Sequence, residues 1–318
     1  MKRAIITGAT GFVGANLARR LLRDGHEVHL LVRAEHNSWR IGEIREDVQI
    51  HILDFQNAAA VSNTIKEIKA DWIFHLAAHG AYSWQKDVRR IFDTNLGATI
   101  NLLEASLAVG FEAFIHTGSS SEYGFKDHAP AENEWIEPNS HYACSKAAAT
   151  LYCRHTAQAH DAHIVTLRLY SAFGPYEDMN RLMPKLVEHG LRGEFPPLVN
   201  PDIARDYIYV DDVCEACLAA VRTTTVPRGA VYNLGSGVQT SLRGVVEIVR
   251  HLMNISAEPQ WGTMPSRAWD TSTWVADNQK IQAELGWHSQ FTLEQGLAMM
   301  VDWYRAHPTA LNPLEYLD

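Results

Sequence analysis

A glycine turn near the start of the chain constrains the fold more than any other feature. Thr7-Gly8-Ala9-Thr10-Gly11-Phe12-Val13-Gly14 follows a β-rich run, Arg3–Thr7, and opens a segment of helical periodicity, Phe12–Arg23. Glycines at 8 and 11 let the backbone turn tightly and approach a pyrophosphate, and Gly14 lets the helix sit close to the strand. The first N–H groups of that helix, those of Phe12 and Val13 among them, would face the anion with a positive dipole end. A glycine triplet alone is weak. One placed between a first strand and a first helix is the mark of a dinucleotide site.

The first half keeps that rhythm. Strand patterns at Glu27–Val32, Val48–Leu53, Trp72–Leu76, Ala113–His116 and His163–Leu169 alternate with helical patterns at Asn57–Lys69, 85–109 (bent near Gly97) and His141–His160. Such alternation implies βαβ units with right-handed crossovers. The expected fold class is α/β, a doubly wound parallel sheet of the Rossmann kind with a smaller C-terminal lobe. After Tyr170, prolines at 175, 184, 196, 197 and 201 interrupt the pattern around one helix near Arg181–Leu191. Asp206–Val210 and Val231–Leu234 read as a return to the sheet. A dinucleotide-binding domain is expected over 1–172, rejoined by part of 203–250. A substrate lobe would form from 173–202 and 251–318.

Composition excludes several classes. With 318 residues, 46% apolar and 20% charged, the chain can bury an ordinary core, so disordered and fibrous readings fail. The net charge of −9, with no Lys/Arg run, argues against a nucleic-acid partner. No run of eighteen apolar residues occurs, so no membrane span is expected. The apolar start breaks at Thr7 and Gly8, too soon for a signal peptide, and four cysteines fit a reducing cytoplasm. Cys214 and Cys217 form a CxxC without a second ligand pair nearby. They read as core thiols, and no metal is expected.

The tip of the second strand bears on the cofactor. Leu31-Val32-Arg33-Ala34-Glu35 has no acid at the tip to bind an adenosine ribose; Arg33 stands there, with Arg40 seven residues on. Two guanidiniums suit a 2′-phosphate, which favours NADP(H), with NAD(H) as the alternative. Asp54, closing the third strand, is a candidate for the adenine amino group or for a helix N-cap.

Tyr142-Ala143-Cys144-Ser145-Lys146 puts a phenol and an ammonium at i and i+4, on one helix face. A neighbouring cation would lower the phenol pKa and make Tyr142 a general acid/base at a hydroxyl or carbonyl oxygen. Ser119, Ser120 and Ser121 follow the fifth strand, whose C-terminal end should border the ligand crevice. A hydroxyl there could bond the reacting oxygen. His79, at the end of the fourth strand, could approach nicotinamide or substrate.

These pieces resemble the extended short-chain dehydrogenase/reductases, in their NAD(P)-dependent sugar-nucleotide epimerase/dehydratase family. The matching stretches are TGATGFVG at 7–14, HLAA at 75–78, NLGAT at 95–99, GSSSEYG at 118–124, YACSK at 142–146, LRLYSAFGP at 167–175, RDYIYVDDV at 205–213 and NLGSG at 233–237. They cover nearly the whole chain in the family's order. The resemblance implies Tyr142 as general acid/base, Lys146 as its partner and nicotinamide-ribose ligand, and Ser119 as the assisting hydroxyl. It implies that Ala77, Ala78 and Asn95 border the cofactor. It implies that Arg205, Arg267 and Asp270 meet the nucleotide diphosphate and ribose of a nucleoside-diphosphate sugar, and that the chain is a homodimer.

Two departures from the family pattern narrow the reaction. Dehydratases of this kind carry an acid pair just after the catalytic Ser/Thr, where this chain has Ser120 and Ser121. That argues against 4,6-dehydration. Ser171 stands where an Asn diphosphate ligand is usual. The expectation is C4 chemistry on a sugar nucleotide. Arg33 favours an NADPH-dependent 4-keto reductase, an NAD-dependent C4-epimerase is the alternative, and an inactive dinucleotide sensor is the alternative from another class.

Overall fold

The computed structural model describes residues 1–264 and 271–311. Seven parallel strands form the main sheet: β1 (Arg3–Thr7), β2 (Glu27–Val32), β3 (Gln49–Ile52), β4 (Trp72–His75), β5 (Ala113–Ser119), β6 (Ile164–Leu169) and, after two strands that lie elsewhere, β9 (Val231–Leu234). Their spatial order is β3-β2-β1-β4-β5-β6-β9. The order reverses between β1 and β4, and a doubly wound sheet opens its ligand crevice at such a point.

The central strands are buried on both faces, so their apolar residues run almost without a break. Ile6, Phe74, Ile115 and Val165 form one row across the sheet; Ile5, Ile73, Phe114 and Ile164 form the next row, pointing the other way. The first row packs under α1 (Phe12–Arg23) and α7 (Val210–Arg222). The second packs under α2 (Ala58–Ile68), α4 (Ala98–Val109) and α5 (His141–Ala159). The helix expected over 85–109 is three pieces. These are α3 (Val88–Phe92), a π turn at Asp93–Gly97, and α4.

One strand assignment changes. Residues 206–210 do not rejoin the main sheet. β8 (Ala204–Tyr209) lies in a three-stranded sheet between β7 (Ser171–Phe173), which it pairs in parallel, and β10 (Gln239–Ser241), which it pairs antiparallel. A second core fills this smaller lobe. Phe173 and Tyr209 meet α6 (Leu182–Gly190), α8 (Leu242–Met253) and α10 (Leu293–Ala306) there. The short α9 (Gln279–Leu285) packs on β9. No described helix is long and apolar enough to cross a membrane.

Candidate active site

The glycine turn lies at the switch point between β1 and β4. Gly8 has φ +72°, and a Cβ there would lie 2.7 Å from the backbone of Leu76 and Ala77. At Gly14 a Cβ would lie 2.4 Å from the Gly8 carbonyl oxygen. Both must be glycine for the helix to sit this close. Gly11 is the N-cap of α1, so the N–H groups of Phe12, Val13 and Gly14 begin a helix with no side-chain cap and no acid in its first turn. These features fit a dinucleotide pyrophosphate.

Around this cradle the expected cofactor residues separate. Ala77 donates its N–H to Thr7 Oγ1 at 3.2 Å, and Ala78 is exposed beside it. Arg33 is exposed at the tip of β2. Arg40 does not share that position. Its Nε donates to the Tyr176 carbonyl at 2.7 Å and Nη1 to the Thr10 carbonyl at 3.3 Å, with the guanidinium 4.6 Å above the Trp39 ring. It ties the glycine turn to the smaller lobe through these two carbonyls. Asp54 is exposed and accepts the Gln56 N–H at 2.9 Å, while the cap of α2 is Asn57.

Asn95 is held by bonds within the protein. It is fully buried in the π turn. Its amide donates to the His79 carbonyl and to Ser145 Oγ, each at 2.8 Å, and accepts the His79 N–H at 2.8 Å. With its donors and acceptor engaged, it fixes the loop after β4. His79 itself is half-buried, held through its backbone. Burial and the cations Arg90 and Arg33 hold its imidazole below the usual range.

At the C-terminal end of β5, Ser119 caps a short 3₁₀ turn. Its Oγ accepts the Ser121 N–H at 3.2 Å, and its own N–H donates to Glu122 Oε1 at 2.8 Å. The Tyr142 phenol, on the first turn of α5, lies near enough to the Ser119 side chain for that hydroxyl to favour its ionised form. Lys146 lies one turn on, only 2% exposed. No described residue hydrogen-bonds its ammonium, and burial lowers it to about 8. The shift expected for Tyr142 is reversed. Burial, reinforced by Glu122, raises the phenol above its ordinary value, against the nearby Ser119 hydroxyl and the charge of Arg181. Lys146 is not among the groups that offset that.

The substrate candidates lie on the far side of this group. Ser120 Oγ accepts from Trp274 Nε1 at 3.1 Å, across to the smaller lobe, and Ser121 is half-buried beside it. Ser171 is half-buried on β7. Arg205, on β8, donates to the Ala204 and Thr271 carbonyls and lies 5.4 Å from the Trp274 ring. Arg267 and Asp270, with Trp269 between them, lie outside the described residues. Cys214 and Cys217 are buried on α7 with thiols pushed up by burial, and no metal-binding group of side chains occurs among the described residues.

Three residues of the site went unread in the sequence. Arg181 precedes α6, stacks 4.4 Å over the Tyr82 ring and carries its charge toward Tyr142. Asp206 is buried beside Arg205 and accepts N–H bonds from Ser236, Gly237 and Ala276, tying β8 to the loop after β9. Glu122 is buried and ion-paired with Arg168 at 2.9 Å. Its signal was the Ser-x-x-Glu spacing of a capping box.

Residues 4–235 match the family described as the NAD dependent epimerase/dehydratase family. The chain is 30% identical to a UDP-glucose 4-epimerase of Mycolicibacterium smegmatis, across 95% of this chain and 98% of that one. A UDP-glucuronic acid 4-epimerase of Bacillus cereus, solved with UDP-glucuronic acid and NAD, superposes with a TM-score of 0.85 at 26% identity. That match covers 96% of this chain and 99% of the other. The fold is also that of a Thermotoga maritima UDP-glucose 4-epimerase solved with UDP-glucose, with a TM-score of 0.87, 24% identity, and 96% and 99% coverage.

Proposed function

Because the chain belongs to the NAD dependent epimerase/dehydratase family, whose members modify sugar nucleotides, we propose that it interconverts the C4 epimers of a UDP-sugar with NAD(H) held in place. One observation carries this reading. The Tyr142 phenol and Ser119 hydroxyl meet at the end of β5, and the next two positions are serines, not carboxylates. Such a group can move a proton at one carbon, but it lacks the acid and base needed to expel water from neighbouring carbons.

The glycine turn, the N-terminus of α1 and Lys146 would hold the dinucleotide. When bound, it accepts a hydride from C4 and returns one. Tyr142 takes the proton of the C4 hydroxyl in one half-reaction and gives it back in the other. Ser119 bonds the same oxygen and keeps it within reach of the phenol. Lys146, unpartnered within the described chain, is free to bind ribose hydroxyls. Arg205 would take the diphosphate.

NAD is preferred here to NADP because Arg40 is engaged in the frame of the protein and the NAD-bound Bacillus cereus relative shares nearly the full fold. A second reading, an NADPH-dependent reductase of a 4-keto sugar nucleotide, rests on Arg33 standing exposed where an acid would bind an adenosine ribose. Denaturing the purified protein and identifying the released nucleotide separates the two. So does incubation with UDP-glucose or UDP-glucuronic acid, without added cofactor, followed by NMR of the products. Bound NAD and a C4-inverted product are expected. An empty site, together with NADPH-dependent consumption of a 4-keto sugar nucleotide, would overturn the epimerase.

A further inference from the structure

We propose that Glu122 is a positioning residue for proton transfer: its buried carboxylate fixes the Ser119 hydroxyl and the helix bearing Tyr142 and Lys146 in one frame. The inference rests on the assignment of Ser119, Tyr142 and Lys146 as the reacting group. Three elements converge on the Glu122 carboxylate. From β5 the Ser119 N–H donates to Oε1 at 2.8 Å; from α5 the Thr150 hydroxyl donates to the same oxygen at 3.0 Å. From β6 the Arg168 Nε donates to Oε2 at 2.9 Å. Arg168 then reaches the Tyr123 hydroxyl at 2.8 Å, which donates to Asn233 of β9 at 2.7 Å.

Space is made for this carboxylate by the backbone. At Gly118 a Cβ would lie 2.7 Å from Glu122 Oε1. Any other residue there would push Glu122 away from Ser119. Thr150 sits one helical turn beyond Lys146, so the carboxylate holds the same helix face that presents the ammonium. A carboxylate bonded to both the β5 end and α5 sets the separation of Ser119 from Tyr142. Misplacement by about 1 Å at such a separation can cost on the order of a hundredfold in rate.

The charge of Glu122 also acts on the reacting groups. It raises the Tyr142 phenol and the Lys146 ammonium alike. The other groups facing Tyr142 are Ser119 from β5 and Arg181 from the start of α6. Those facing Lys146 are Cys153 from its own helix, His75 from β4 and His116 from β5. None of these hydrogen-bonds both β5 and α5. Replacing Glu122 with Gln removes the negative charge at nearly constant volume, so the phenol should titrate at lower pH while the nucleotide site stays intact.

The test uses the purified holoenzyme. Phenol absorbance is titrated with pH in wild type and Glu122→Gln, each against its Tyr142→Phe counterpart, so that the difference isolates Tyr142. The kcat and KM for UDP-glucose are measured on the same proteins. For Glu122→Gln a lower titration midpoint is expected, with kcat down about tenfold to a hundredfold and KM unchanged. An unmoved midpoint with kcat within twofold of wild type would overturn the proposal. So would a fall in kcat that merely tracks loss of folded protein. If Glu122→Gln does not fold, Thr150→Val removes one of the three bonds in a well-packed site. A severalfold drop in kcat at constant KM then supports the proposal, and an unchanged kcat sinks it. A Tyr142→Phe enzyme that still turns over would instead refute the assigned reacting group.

Discussion

The Arg40 guanidinium donates to the Tyr176 carbonyl at 2.7 Å, joining residues 136 positions apart and closing the nucleotide half onto the smaller lobe. Tyr176 needs holding. Its φ is +67°, a left-handed conformation that costs a bulky residue free energy unless its surroundings enforce it. Its hydroxyl donates to Glu43 at 2.7 Å, and the Arg19 guanidinium lies 3.9 Å from its ring. The loop is therefore clamped at backbone, hydroxyl and ring.

Arg40→Ala should accordingly behave as a structural variant. Loss of charge-assisted bonds to two carbonyls is expected to cost about 1–3 kcal/mol in urea unfolding. The ratio of NAD to NADP affinity should stay within about twofold of wild type, because the guanidinium is engaged by two backbone carbonyls. Fluorescence titration with both dinucleotides checks this. A selective loss of NADP binding would return Arg40 to the 2′-phosphate site.

Tyr142→Phe should lower kcat by about 10²–10⁴ while the bound nucleotide is retained, since the ring still fills its space. Ser119→Ala should cost less, because it removes a hydrogen bond and not the proton-transfer group. Ser121→Ala should cost least, since only its N–H is engaged with Ser119. Steady-state kinetics on the three variants rank them. A larger defect in Ser121→Ala than in Ser119→Ala would reverse the serine assignment.

Lys146 carries a stability signature. Its ordinary pKa of 10.5 falls to about 8 in the fold, so between those values the unfolded chain binds more protons than the native one. Native stability should therefore rise with pH across that window, and the burial penalty is fully present below about 8. The penalty is of the order of 3 kcal/mol at neutral pH. Lys146→Met should be inactive yet more stable than the wild type at pH 7 in the nucleotide-free protein, with the gap closing toward pH 10.5. Urea unfolding at several pH values measures it. A gap that is independent of pH would refute the buried-cation account.

The glycine turn, the alternation of elements and the YxxxK helix could be read from the chain because each is a local pattern with a local cause. Gly14 is dictated by an approach of under 3 Å within one βα unit and Gly8 by the positive φ of its turn, which spacing reveals, although the contact of Gly8 with Leu76 and Ala77 after β4 is long-range. The errors arose where the answer depended on distant partners. β8 has the alternation of a strand, but alternation does not say which sheet the strand joins. The bonds of Arg40 to the Tyr176 and Thr10 carbonyls, 136 and 30 positions away, left no mark in the sequence either. The phenol of Tyr142 looked activated by Lys146 because burial, which moves both groups, leaves no mark in the spacing. Glu122 was legible as a cap in the Ser-x-x-Glu pattern, yet its bonds to Thr150 and Arg168 depend on tertiary structure.

The π turn at Asp93–Gly97 makes chain length itself a requirement. It accommodates one more residue per turn than the α-helices around it, and that residue brings Asn95 inward to meet His79 and Ser145. Deleting one residue from 93–97 would restore regular winding and leave α4 facing the sheet much as before, because the extra residue of the turn is the one removed. Asn95 would then swing away from the loop after β4, and its bonds to His79 and Ser145 would be lost. Substitutions in this stretch can be absorbed side chain by side chain, whereas a change in its residue count cannot.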